Sequence, residues 1–287
     1  MVGKVDPETE QFWGKDIIYI YPDLKTVIIG RFDNGVMISG YMSTIEQVFV
    51  DPDTFMLHVS VCKETFGPKM KCDISTQTVI SQFPLLPDLW EAQLVEVKNS
   101  TVGTDAGQGL YLKRSVSAGQ IVALFNGIRC RSSRNNSNDK SPDQSYDYRI
   151  RLNGDMDIDI PPVFTQLDQY CATLGHKANH SFTPNARCQS FLIRSIEFLQ
   201  ANVHQYRWVR FQHPRFGLIV AIKAIKDMAE GSEVLVNYGM GMADAPIWYK
   251  MLWVKHLRED RHFSDKDIMD WCGRQYAMNG RLIDLPL

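Results

Sequence analysis

Asp33-Asn34-Gly35 separates Val27-Ile28-Ile29-Gly30-Arg31-Phe32 from Val36-Met37-Ile38-Ser39. An Asn-Gly pair between two β-branched runs closes a tight hairpin, because both turn positions favour positive φ. A second turn, Pro22-Asp23, follows the run Ile17-Ile18-Tyr19-Ile20-Tyr21. Residues 17 to 61 therefore read as β-structure, and a chain opening this way is committed early to sheets.

Leu85-Leu86-Pro87-Asp88 looks like a linker into a second β-rich region. Short strands are expected there at Leu94–Val97, Gly109–Leu112, Ile121–Phe125, Arg149–Leu152, Val209–Gln212, Leu218–Ile222 and Val234–Tyr238. Between Arg131 and Ser145 the chain is rich in Ser, Asn and Asp, the composition of a surface loop. Leu167, Tyr170, Cys171 and Leu174 recur at i, i+3, i+4 and i+7, which predicts a helix over Thr165–Leu174. A last helix is expected from Pro246, with Asp244 as its cap and Trp248, Tyr249, Leu252, Trp253 and Leu257 as its apolar stripe. The class is mainly β, antiparallel, with few helices.

Composition narrows the functions. A net charge of −2 over 287 residues lacks the basic surplus of a nucleic-acid binder. The N-terminus has no apolar signal-peptide core, and no apolar run nears the roughly 20 residues of a membrane span. Six cysteines stand at 62, 72, 130, 171, 188 and 272 without a CxxC pair, against a zinc cluster or a secreted disulfide framework. A soluble intracellular protein, binding neither nucleic acid nor membrane, is the expectation.

Three constellations carry chemistry. His176 and His180 have the i, i+4 spacing of a zinc pair, but Lys177 stands where a metalloprotease needs glutamate, and Pro184 argues against a continuing helix; no metal is expected. Ala106-Gly107-Gln108-Gly109 is a glycine turn followed by an alternating, strand-like segment. By itself it fits a plain tight turn or a close backbone approach to a ligand. Asn179-His180-Ser181-Phe182 packs amide and imidazole into a short loop, and Leu235-Val236-Asn237-Tyr238-Gly239 is an apolar strand ending in a phenol. Asp155, Asp157 and Asp159 alternate on one strand face, able to draw a basic peptide or simply to be solvated.

The Asn-His loop and the phenol-bearing strand resemble the signature motifs of SET-domain protein lysine methyltransferases. Leu174 to Asn185 (LGHKANHSFTPN) and His213-Pro214-Arg215-Phe216-Gly217 resemble the branch of histone-lysine N-methyltransferases that carries MORN repeats. Asp159-Ile160-Pro161, Tyr170-Cys171, Ala245-Pro246 and Trp248-Tyr249 agree with it, and Gly30 to Gly40 resembles one MORN hairpin. One visible repeat suggests a shortened array or a fragment. The resemblance implies MORN-type hairpins over 1–84, a SET fold of small antiparallel sheets with a pseudoknot-like threaded segment over 85–245, and a helical segment over 246–287 closing a lysine channel. It implies S-adenosylmethionine held by Ala106, Gly107, Gln108, His176, Lys177, Asn179, His180 and Trp248. Tyr238 would be catalytic, with Phe125, Tyr148 and Met240 beside it in the channel. The resemblance also implies a monomer acting in the nucleus, or in the cytoplasm as well, on a histone tail of the H-three type or another lysine-bearing protein.

In-line methyl transfer needs a neutral amine held about 3–3.5 Å from the methyl group. Lysine titrates near 10.4, so neutrality at pH 7 requires a shift of about three units, roughly 4 kcal/mol. Several positions depart from the branch. Phe125, Met240 and Cys188 stand where it has tyrosines (a gap could instead move Trp208 into the last place), Tyr148 where it has asparagine, and Leu252 where it has glutamate. Gln189–Arg210 reads as an insertion. The channel is thus more apolar, and the expectations are weaker activity and a product not restricted to monomethyl-lysine. The competing reading is a SET module without catalysis that binds a peptide or partner.

Overall fold

The computed structural model describes residues 1–53, 57–103, 106–132, 149–189, 191–192, 209–210, 212–240, 242 and 245–279. Its first sheet contains β1 (Gly14–Ile20), β2 (Thr26–Asp33), β3 (Val36–Val50), β4 (Leu57–Val61) and β5 (Phe66–Met70), in the order β1-β2-β3-β4 with β5 also on β3. The expected hairpin forms: Asp33 pairs with Val36, and Asn34 and Gly35 take φ values of 46° and 74°. Gly30 and Gly40 face each other across it. A Cβ on Gly40 would come within 2.7 Å of the Ile28 side chain, so the glycine lets the strands close over Ile28 and Met37. Ile17, Tyr19, Ile28, Phe32, Met37 and Met42 bury the inner face.

The segment read as a linker is pinned. Asp88 caps an unforeseen short helix, α1 (Leu89–Leu94), by accepting the Glu91 N–H at 3.0 Å. Its other oxygen accepts the Tyr21 hydroxyl at 2.6 Å and lies 3.4 Å from His213 Nε2. Arg215 donates to the carbonyls of Leu86 and Phe83 and to Asp73. The side chains of Tyr21, Asp73, Asp88, His213 and Arg215 are all buried, so a polar network joins the first sheet to the second β-rich region.

That second region is built from β6 (Val95–Asn99), β7 (Gln108–Leu112), β8 (Ile121–Phe125), β9 (Ile128–Arg131), β10 (Ile150–Arg151), β11 (Met156–Asp159), β12 (Asn179–His180), β13 (Ala186–Gln189), β14 (Phe191–Leu192), β15 (Val209–Arg210), β16 (Gln212–His213), β17 (Gly217–Leu218), β18 (Val220–Ala224) and β19 (Leu235–Val236). One sheet runs β12-β19-β13-β18-β8. In it β19, last in sequence, lies between β12 and β13 and parallel to both. That insertion brings the end of one sequence motif against the other.

Three expectations change. Thr165–Leu174 is not a helix: Pro162–Thr165 forms a single 3₁₀ turn, Gln169 and Tyr170 close one further turn on the Gln166 carbonyl, and no helix follows up to Leu174. The N–H groups of Cys171 and Ala172 go to the Pro84 carbonyl and that of Leu174 to the Glu91 carboxylate, leaving no helical ladder. Asp155 is exposed just before β11, but Asp157 and Asp159 do not continue a solvated face. Asp157 is buried against Arg151 at 2.8 Å and Asp159 lies 3.9 Å from Arg149. The C-terminal segment holds two helices, α2 (Ile247–Glu259) and α3 (Asp265–Asn279); Pro246 stands at the N-cap position of the first without a side-chain capping bond. They meet through Val254, Leu257 and Ile268, a cluster separate from the main core. Asp244, Tyr148, Trp208 and 133–145 lie outside the described residues, as does most of the expected insertion.

Candidate active site

The glycine turn and the Asn-His loop meet at Gln108. Its carbonyl accepts Asn179 Nδ2 at 3.1 Å and its side-chain oxygen accepts Lys177 Nζ at 2.7 Å. Gly107 just before it has φ 62°, and nothing stands within 4 Å of where its Cβ would be. The turn therefore presents bare backbone beside the loop.

Asn179 is held from behind by Glu233, a residue that motif reading passes over. Glu233 accepts hydrogen bonds from Ser100 Oγ at 2.7 Å, Thr101 N at 2.9 Å, Thr101 Oγ1 at 2.7 Å, Tyr111 OH at 2.9 Å and Asn179 Nδ2 at 3.1 Å. Burial alone would raise its pKa, but the hydrogen bonds outweigh burial and hold the carboxylate below its usual range. Gly109 is obligatory here, since a Cβ on it would occupy the place of the Glu233 carboxylate. The available signal was one carboxylate placed two residues before the apolar pair Leu235-Val236.

His180 and Tyr238 form the other half. The Tyr238 N–H donates to His180 Nδ1 at 3.2 Å, and its phenol donates to the Ala178 carbonyl at 3.0 Å. The His180 ring lies 5.2 Å from Tyr238, 6.3 Å from Trp248 and 4.5 Å from Tyr249. Phe182 packs edge-on at 4.4 Å and itself meets Tyr249 and His256. So α2 docks on the Asn-His loop through aromatic rings. Tyr249, more than the expected Trp248, makes the contact with His180.

Two histidines there are uncharged at neutral pH. Burial lowers the His180 pKa to about 4; burial and the Lys177 charge lower that of His176 to about 3. His180 Nε2 and both ring nitrogens of His176 lack a well-formed hydrogen bond among the described atoms. Lys177, buried, donates to Gln108 and to the Thr165 carbonyl, and desolvation lowers its pKa. With only the backbone of Thr173 beside His176 and of Val236 beside His180, these thinly partnered rings suit a polar ligand that brings its own donors and acceptors.

Residues 107–239 match the SET domain model, and residues 1–55 match the model described as Histone H3 K4-specific methyltransferase SET7 N-terminal. The chain is also 34% identical over 243 residues to the histone-lysine N-methyltransferase SETD7 of Halocynthia roretzi. This chain belongs to the SET-domain family. The alignment covers 82% of this chain and 56% of that relative, so the chain spans little more than half of its length.

Within the SET match lie Gly107, Gln108, Phe125, His176, Lys177, Asn179, His180 and Tyr238; Ala106, Met240 and Trp248 fall outside it. Phe125 is buried in the core, and Tyr238 packs against that same cluster. Met240 is half-buried, its N–H set against the Tyr249 hydroxyl, a contact that opposes the rise burial gives that phenol. Cys188 is packed on β13 opposite Ile222, and burial pushes its thiol up to about 11. Leu252 lies half-buried on α2. Trp248 is 38% exposed.

Proposed function

We propose that this chain is a protein-lysine N-methyltransferase using S-adenosylmethionine. The observation that carries the reading is the meeting of three separate segments, 106–108, 176–180 and 238, through Gln108, Ala178 and His180. Ala106, Gly107, Gln108, His176, Lys177, Asn179, His180 and Trp248 would hold the cofactor, whose carboxylate, amine and adenine match the donors, acceptors and aromatic faces available. When bound, it supplies a methyl group activated by a sulfonium.

The rest falls to the chain's own residues. The phenolic hydrogen of Tyr238 is committed to Ala178, so its oxygen is set to accept from an amine N–H and align the lone pair. The rings of His180 and Trp248 lie 5.2 and 6.2 Å from that of Tyr238; with Phe125 as a further channel wall they would offer little to solvate an ammonium, which favours the neutral amine. α2 would close the channel through Tyr249 and Trp248, in a chain divided at about residues 84 and 245 into hairpin, SET and helical parts. The substrate would be a histone tail or another lysine-bearing protein, met in the nucleus by a monomer.

Phe125, Met240 and Leu252 favour a second reading on the same site, an enzyme of low turnover or a SET module that only binds. Calorimetric titration with S-adenosylmethionine and methyl transfer to lysine peptides test both. Cofactor binding with ready transfer supports the enzyme, binding with slow or no transfer supports the second reading, and no cofactor binding ends the enzyme reading and leaves the module that binds only a peptide or partner.

A further inference from the structure

β3 runs 15 residues, but β2 accompanies it only as far as Thr44. Beyond that point β3 and β4 continue as a two-stranded ribbon. Its register sets Ile45 opposite Val61, Gln47 opposite Ser60, Val48 opposite Val59 and Phe49 opposite His58, with a bulge between Ile45 and Gln47. Opposed residues share a face and neighbours alternate. Ile45, Val48, Val50, Val59 and Val61 therefore fall on one side, while Gln47, Phe49, His58 and Ser60 fall on the other.

Among the described residues nothing fully covers the aliphatic side. Val48 is 44% and Val50 48% exposed, and Ile45, Val59 and Val61 are half-buried. A two-stranded ribbon is marginal in water by itself, and a contiguous aliphatic face exposed on one marks a place where something binds. On the opposite side Phe49 stacks on His58 at 4.9 Å, which stiffens the ribbon. Charge selects the occupant. Glu46, Asp51, Asp53 and Glu64 border the ribbon against Lys63, with His58 3.9 Å from Asp51. A second copy would bring the same carboxylates against these; a basic segment would neutralise them.

We propose that this ribbon docks an extended protein segment in which aliphatic residues alternate with lysine or arginine. Aliphatic side chains cover Val48 and Val50, and the cations, alternating to the other side of the segment, reach past the ribbon's edge to Glu46 at the bulge and Asp53 beyond the end of β3. Such docking needs neither the cofactor nor Tyr238, so it stands whether or not methyl transfer occurs.

The test uses the whole chain and a fluorescein-labelled peptide of about twelve residues alternating valine and lysine, followed by anisotropy. A counterpart with glutamate for lysine is the charge control. Expected results are saturable binding of the lysine peptide and a loss of about tenfold or more in affinity for Val48→Ser/Val50→Ser and for Glu46→Lys/Asp53→Lys. The altered side chains are exposed or peripheral, so the thermal midpoint should hold in both variants. Undiminished affinity in both variants, equal binding of the glutamate peptide, or no saturable binding of the lysine peptide overturns the proposal. So does a wild-type dimer that Val48→Ser/Val50→Ser dissociates, since it assigns the face to a second copy.

Discussion

Tyr238 gives its phenolic hydrogen to the carbonyl of Ala178 at 3.0 Å, and Ala178 immediately precedes the Asn179-His180 pair. One hydrogen bond thereby ties the end of β19 to the start of β12, and it fixes which way the phenolic oxygen can act. Tyr238→Phe removes that oxygen and leaves the ring in place. Transfer should fall by about 10²–10⁴ in kcat, as for loss of a positioned polar group, while cofactor affinity measured by calorimetry changes little. Unchanged kcat would remove Tyr238 from the chemistry.

Glu233 collects only donors. In Glu233→Gln an NH₂ replaces one oxygen and faces a donor, leaving buried groups unsatisfied at a cost of about 1–3 kcal/mol. Asn179 loses its rear support, so S-adenosylmethionine affinity should drop as well. The carboxyl is held below its unfolded value near 4.3, so its stabilisation is present above that value. It is lost as pH falls through the folded pKa. Urea denaturation should show the wild-type advantage over Glu233→Gln shrinking below about pH 4; a gap that stays constant with pH would contradict it.

The buried histidines act on the same acid limb of the pH profile, beginning at higher pH than Glu233. His176 and His180 titrate near 3 and 4 when folded, and burial also lowers His213. Unfolded, each titrates near 6.5. Below that pH the unfolded chain takes up protons the folded one refuses, so stability declines from about pH 6.5 downward, by up to about 1.4 kcal/mol per pH unit for each group. His176→Phe should flatten the decline between pH 7 and 5 in denaturant titrations. An identical slope would mean His176 is already charged in the fold.

How much of this was legible beforehand depended on whether a signal was local. Asn34-Gly35 fixed its hairpin because turn geometry needs only two residues. Asn179, His180 and Tyr238 were legible through a motif. Their meeting was not, because it requires β19 to enter between two earlier strands. The helix over 165–174 failed because periodicity counts side chains and ignores where N–H groups find acceptors; Pro84 and Glu91, some 80 residues upstream, took them. Asp157 was misread for a similar reason, its partner Arg151 lying on the neighbouring strand.

The junction between the first sheet and the SET region turns on Arg215, fully buried beside Asp73 at 3.3 Å. Arg215→Met leaves the Asp73 carboxylate without its cation and should cost about 3–5 kcal/mol. Asp73→Asn in the same chain should recover part of that, giving a coupling in a double-mutant cycle. Additive costs would mean that the carbonyls of Leu86 and Phe83, rather than Asp73, are what Arg215 serves.

The proposed lysine channel makes Phe125 and Met240 the positions at which the treatment of a methylated amine is tested. A phenol at either position would present an oxygen that holds water or the amine and narrows the space left for further methyl groups. With phenylalanine and methionine there, mono-, di- and trimethyl-lysine should all form, as read by mass spectrometry of a peptide product. Met240→Tyr, at a half-buried position, should shift the products toward monomethyl-lysine with little cost in stability. Phe125→Tyr should shift them the same way but lower the thermal midpoint, since a hydroxyl entering the core at a side chain only 3% exposed costs about 1–3 kcal/mol when unpaired. If wild type yields monomethyl-lysine alone at a normal rate, neither residue sets the product, and the limit on methyl number lies elsewhere around Tyr238.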